Sequence, residues 1–294
     1  MNGYWNNIEK QISKTIGREV QFLHKEPASG GCINQSWKVT DNDSGQWFVK
    51  TNRPNLLDMF VAESSGLSEI RNSRSIQTTK SICYGKNSEF SYLVLDYIPL
   101  FPLSKQKNTG EQIARMHHCY SDNFGWYRDN TIGSTLQVNK QEDNWLMFWK
   151  SHRLKYQLEL ARKKAYPERA YEKGLILMDD MYKFFDGYQV KPSLLHGDLW
   201  GGNIASDKHG TPIIFDPAVY YGDREVDIAM TELFGGFNKE FYVAYNSHYA
   251  LDAGYKTRKV LYNLYHILNH YNLFGGGYAS QAEQMTDRLL SELK

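Results

Sequence analysis

The sequence predicts an α+β fold of two lobes, a small antiparallel-sheet lobe over residues 1–97 and a larger, mainly helical lobe over residues 98–294. Three observations predict it. Short apolar runs of strand length crowd the first third of the chain around one helical stretch. Helical periodicity takes over from Thr109. A chain of 294 residues can also bury a sizeable core in one large domain or two lobes.

Composition narrows the class. With 34 basic against 33 acidic residues the formal charge is +1, which argues against nucleic acid or an anionic membrane as the main partner. No apolar run reaches membrane-spanning length. The 21 Tyr and 14 Phe suggest aromatic-rich packing and a ring-lined cleft. The N-terminus lacks the apolar core of a secretion signal, so the expected compartment is the cytoplasm. Cys32, Cys83 and Cys119 have neither metal-site spacing nor an even count for a disulfide framework.

In chain order, the first element is a short amphipathic helix with Trp5, Ile8, Ile12 and Ile16 on one side. Strands follow at residues 20–23, 37–40 and 46–50, with a Gly-containing loop over residues 28–36. Gly30 and Gly31 would let backbone N–H groups approach phosphates, although a plain hairpin turn explains a paired glycine as well. Cys32 follows directly. A thiolate there would sit among backbone donors near Lys50, so oxidation or a disulfide to a second copy could hold the loop away from nucleotide; a quiet buried thiol is the alternative. The expected state is therefore a monomer or a redox-dependent dimer.

Lys50 ends an apolar strand, and Glu63 lies in a helical run over residues 57–70, with Asp58 and Glu69 as competing acids. The strand at 92–96 runs into Tyr97, Ile98 and Pro99. An extended segment of this kind suits a hinge at which backbone groups of Asp96, Tyr97 and Ile98 meet an adenine. Beyond it, Ile113, Met116 and His117 keep helical spacing, with His117 expected as a satisfied core histidine. Residues 124–139 form a Gly- and Asn-rich loop long enough to shape a pocket. Helices are expected at 143–164, where Trp145, Phe148, Trp149 and Leu154 make a core stripe, and at 170–185, 228–234, 238–253, 256–274 and 279–293.

The chemistry concentrates in residues 193–227. His196, Asp198 and Asn203 stand at the spacing of a kinase catalytic loop, in which an Asp accepts the proton of the attacking hydroxyl and an Asn holds a metal. Short strands at 203–205 and 211–215, joined by a polar turn at Asp207, Lys208, His209 and Gly210, would bring Asn203 beside Asp216. Asp216, at the end of an apolar strand, suits a Mg²⁺ ligand near ATP phosphates. In that setting Lys50 would contact the α and β phosphates and be held by Glu63. Asp227 is expected to cap a helix or brace the catalytic loop.

The runs HGDLWGGN, FDPA, YYGDREVDIAM and ELFGGF make the chain resemble the fructosamine kinase, or ketosamine-3-kinase, family within the protein-kinase-like and aminoglycoside phosphotransferase group. The resemblance covers almost the whole chain and implies a two-lobed protein-kinase-like fold. It implies ATP and Mg²⁺ as cofactors and phosphorylation of the sugar 3-hydroxyl of small-molecule or protein-bound ketosamines. The phosphorylated products then decompose and free the amine. It also puts Asn130, Gln137, Trp200, Tyr220 and Glu225 on the substrate side. Leu136 departs from the proline expected in that family. The alternatives are a kinase of aminoglycoside or choline type and a nucleotide-binding scaffold without turnover. The extended YYGDREVD and ELFGGF runs speak against the first, and the presence of Lys50, Asp198, Asn203 and Asp216 against the second.

Overall fold

The structure is a computed structural model that describes residues 2–28 and 33–293. Alternation along one strand organises the small lobe. After α1 (Asn2–Ile16) come β1 (Phe22–Pro27), β2 (Gln35–Asp41) and β3 (Gln46–Asn52). They are followed by α2 (Leu57–Ser73), β4 (Gln77–Thr78), β5 (Ser81–Lys86) and β6 (Ser91–Asp96). Five of these strands form an antiparallel sheet in the order β1-β2-β3-β6-β5. Successive side chains point to opposite faces. Trp47 and Val49 pack with Ile8 and Ile12 of α1 and with Tyr92 and Val94 of β6. Phe48 packs on the other face with Phe60 and Leu67 of α2 and with Leu93 and Leu95. Lys50 shares the Phe48 face, so the strand's period of two aims it at α2.

The first strand begins later than expected and runs on to Pro27. Its side chains after Phe22 are exposed, as befits a sheet edge, so it lacks the apolar run by which the sequence marks a strand. β5 likewise lies outside the expected strands, and none of its residues, Ser81–Lys86, is fully buried.

The second lobe contains α3 (Gln106–His117), β7 (Asn130–Ile132), β8 (Thr135–Gln137), α4 (Trp145–Trp149), α5 (Lys155–Lys163) and α6 (Glu168–Asp180). Next come β9 (Ser193–Leu195), β10 (Ile204–Ser206), β11 (Pro212–Ile214) and β12 (Tyr220–Gly222). The chain finishes with α7 (Glu225–Leu233), α8 (Lys239–His248), α9 (Tyr255–Phe274) and α10 (Tyr278–Ser291). Its core joins the stripe of Trp145, Phe148, Trp149 and Leu154 to the buried face of α9. Three refinements matter. The expected loop at 124–139 contains the hairpin β7–β8, which turns at Gly133 with φ +61°. The expected helix at 143–164 is interrupted by a π turn, Lys150–Leu154, and the one at 170–185 ends in a 3₁₀ segment, Met181–Phe185. One element crosses the division expected at residues 97 and 98: β4 pairs in parallel with β11.

The π turn carries Arg153, which is fully buried. Its guanidinium lies 4.1 Å from the Tyr220 ring centre and 4.6 Å from that of Phe148. It donates to the Val138 carbonyl at 2.6 Å and to Asn139 Oδ1 at 2.7 Å, which ties the segment after β8 to the helical core.

Candidate active site

The catalytic loop is shaped by one glycine. Gly197 has φ +81°, and a methyl group on it would come within 2.0 Å of the Ala218 carbonyl oxygen, so only glycine fits between His196 and Asp198. Asp227 braces the same turn: Oδ2 accepts the His196 N–H at 2.7 Å and Oδ1 the Gly197 N–H at 2.9 Å. The brace, not the cap, is its role, because α7 starts at Glu225 and leaves Asp227 within the first turn. His117 is the buried core histidine expected, bonded to Asp227 Oδ2 at 3.2 Å and to the Tyr245 hydroxyl at 2.8 Å. Burial pushes the Asp227 carboxyl upward, but these hydrogen bonds and the two neighbouring imidazoles outweigh it and hold it below the usual carboxylate range.

Asn203 Nδ2 donates to the Asp198 main-chain oxygen and to its carboxylate Oδ2, each at 2.9 Å. Antiparallel pairing of β10 and β11 places the backbone of Asn203 against Phe215, with Asp216 next along the chain. The turn between them is fixed by Asp207, whose Oδ1 accepts the N–H groups of His209 and Thr211. Asp216 adopts φ +57°, a conformation non-glycine residues rarely take and one that clusters at functional sites. Lys50 Nζ bridges Asp216 Oδ1 at 2.5 Å and Glu63 Oε1 at 2.6 Å. Neither Asp58 nor Glu69 takes that place: Asp58 stands in solvent, and Glu69 accepts from the Tyr221 hydroxyl at 2.7 Å.

These side chains share one cavity of about 230 Å³. Lys50, Glu63, Asp198, Asn203 and Asp216 line it together with Asn130, Thr131, Trp200, His270 and Phe274. Burial pushes the Asp198 carboxyl up to about 7, reinforced by the charges of Asp216 and Asp227 and opposed by Asn203. A base in that range is matched to proton transfer at neutral pH. Burial works against the charge on Lys50, but Asp216 and Glu63 prevail and keep the ammonium above its ordinary range. The oxygens of Asn203 and Asp216 fit a hard cation that draws its remaining ligands from phosphates and water. Among the described residues no cluster of three or more His, Cys, Asp or Glu side chains offers a closed metal cage.

The Fructosamine kinase family model matches residues 4–292. A probable ketoamine kinase of Synechocystis sp. is 44% identical, with 97% of each chain covered. The chloroplastic protein-ribulosamine 3-kinase of Arabidopsis thaliana is 41% identical, with 95% of this chain and 86% of that one covered. The chain belongs to the fructosamine kinase family. A crystal structure of a candidate fructosamine-3-kinase from Haemophilus somnus 129PT superposes with TM-score 0.90 at 29% identity, covering 98% of each chain. Membership of the fructosamine kinase family makes this protein an ATP-dependent phosphotransferase with a hydroxyl acceptor.

The five residues expected on the substrate side of this fructosamine kinase family member divide. Asn130 and Trp200 line the cavity. Gln137 is buried behind Asn130, donating to its Oδ1 at 2.8 Å and accepting from the Tyr265 hydroxyl at 2.8 Å. Tyr220 is buried against Phe148 and Arg153. Glu225 is buried too, and its carboxylate meets Arg258 at 2.8 and 3.0 Å. The last three therefore stand behind the cavity wall.

At the hinge, the Asp96 and Tyr97 N–H groups are taken by the Lys80 and Gln46 carbonyls, which narrows the donors left for a base to Ile98. Gly30, Gly31 and Cys32 lie outside the described residues. Sequence reasoning missed Asn269, His270, Leu273 and Phe274, which α9 brings to the cavity. Asn269 and His270 are two among several polar residues of α9, with Asn263, His266 and Asn272, so no local pattern marked them out.

Proposed function

We propose that the protein transfers the γ-phosphoryl group of ATP to the sugar 3-hydroxyl of ketosamines, free or protein-bound, in the cytoplasm. The observation that carries this reading is the cavity that Asp198, Lys50 and Asp216 line together with the polar and aromatic side chains of Asn130, Trp200 and His270. The names of the relatives supply the acceptor class. Among the described residues no helix is long and apolar enough to cross a membrane.

Asp198 takes the proton of the 3-hydroxyl as its oxygen bonds to the γ-phosphorus. The bond from that phosphorus to the β,γ-bridging oxygen breaks and ADP leaves. Lys50, oriented by Glu63, holds the α and β phosphates and releases Asp216 in doing so. Asn203 and Asp216 would hold Mg²⁺, which supplies charge neutralisation on the phosphates. Trp200 and the β7–β8 hairpin wall the acceptor side.

Incubation of purified protein with Mg-ATP and a panel of ribulosamines, fructosamines, choline and aminoglycosides tests this reading. Phosphate on the ketosamines at the 3-position is the expected result. Turnover confined to choline or an aminoglycoside would overturn it.

A further inference from the structure

The acceptor wall has few polar groups left to spend. Asn269 is buried and accepts from Gln157 at 3.2 Å. Asn130 donates to the Val219 carbonyl at 2.7 Å, and its oxygen accepts from Gln137 and Asn139. Thr131 offers a hydroxyl, which serves neutral and charged groups alike.

His270 is different. Its Nδ1 lies 2.8 Å from the His266 carbonyl, and a carbonyl can only accept, so Nδ1 carries the proton. The neutral ring therefore has its lone pair on Nε2, for which the described residues supply no partner. The ring is edged by Phe234 at 4.9 Å, Phe274 at 5.7 Å and Tyr278 at 5.2 Å, and Phe234 in turn meets Trp200 at 6.0 Å. Trp200, Phe234 and Phe274 remain partly exposed. A free acceptor lone pair among aromatic faces suits an organic ammonium, which can donate to the nitrogen and sit against the rings' negative faces.

The geometry points to His270 as a specificity-determining residue that receives the protonated amine of the ketosamine while the 3-hydroxyl meets Asp198. This rests on the ketosamine reading above. In a 1-amino-1-deoxyketose the nitrogen stands on C1, two carbons from C3, so one small cavity can accommodate both groups. Burial holds His270 below the ordinary imidazole range, which keeps it an acceptor at neutral pH. The titratable groups that share its surroundings are His266, Tyr278 and, lining the same cavity, Asp198, Asp216, Glu63 and Lys50.

A charge series at this position tests the assignment, with KM for a ketosamine and KM for ATP measured on each full-length variant. His270→Lys should raise the ketosamine KM at least about tenfold, as expected for like charges brought together. His270→Glu should leave it unchanged or lower it, and His270→Gln, which keeps an acceptor, should fall between. KM for ATP should stay within about twofold throughout, since the series alters only the acceptor side. If the Lys and Glu variants shift the ketosamine KM in the same direction, or neither shifts it, His270 does not read the amine. If the wild type phosphorylates no ketosamine at all, the functional reading falls first and the assignment with it.

Discussion

The Asp198 carboxylate is half-buried, where its charge is costly, and it accepts a hydrogen bond from Asn203. Asp198→Asn preserves the shape and removes the base. Turnover should fall by about 10²–10⁴-fold, the range for lost acid–base assistance, while nucleotide affinity measured by equilibrium titration stays near wild type. Near-normal turnover would exclude the role. That Asp198, Asn203, Asp216 and the Lys50–Glu63 pair gather in one cavity was legible in the sequence, because their spacing is the pattern that phosphoryl transfer asks for. Gln137, Tyr220 and Glu225, expected on the substrate side from the resemblance, do not line the cavity, because a motif does not say which way a side chain points. Along β12, Tyr220 turns inward to Arg153 while its neighbour Tyr221 turns out to Glu69. Glu225 found its partner, Arg258, on a helix far along the chain.

At the scale of the element, the short β7–β8 hairpin at the cavity is anchored by side-chain hydrogen bonds. Asn130, Gln137 and Asn139 tie it to the Ala218 and Val219 carbonyls and to one another, and Arg153 holds its far end. Arg153→Met should leave the Val138 carbonyl and Asn139 Oδ1 short of a donor, at about 1–3 kcal/mol for each buried group left unsatisfied. Denaturant unfolding should show that loss. The variant should also raise KM for the acceptor more than KM for ATP, since the hairpin borders the acceptor; equal changes in both would show that Arg153 acts on stability alone. The apolar stripe made the helix around Trp145 and Trp149 readable. The π turn within it was not, because it answers to a tertiary demand: Arg153 must reach two groups beyond β8, and no local pattern records that.

Across the whole molecule, acidification pulls on buried groups in opposite directions. Burial drives His266 down to about 3, and neither of its ring nitrogens has a hydrogen-bond partner. Arg153, His270 and Asp227 face it electrostatically, with Tyr265 beside it. Between an ordinary imidazole pKa of about 6.5 and the folded value of about 3, the unfolded chain binds a proton that the folded chain refuses. Stability from this residue is therefore lost as pH falls through that window, by up to about 1.4 kcal/mol per pH unit. Asp198 and Glu225, both raised to about 7 by burial, act the other way, since the folded state holds their protons more tightly. Only a comparison isolates the histidine. The stability difference between wild type and His266→Phe, followed by denaturant unfolding from pH 7 to pH 5, should shift steadily against the wild type; a constant difference would contradict a neutral buried ring. The two-lobed α+β plan was legible because each lobe has its own periodicity. The crossing of β4 was not, since two residues carry no periodicity at all. That crossing makes the lobes thermodynamically inseparable at one point. Gln77 and Thr78 complete the sheet that carries Asn203 and Asp216, and the Thr78 hydroxyl donates to the Ile214 carbonyl at 2.6 Å. If the sheet lobe melted first, it would withdraw a strand from beside the β10–β11 hairpin. Scanning calorimetry should therefore record one cooperative transition, and heat inactivation should keep pace with loss of the small lobe's tryptophan signal; two separated transitions would show that the lobes come apart independently.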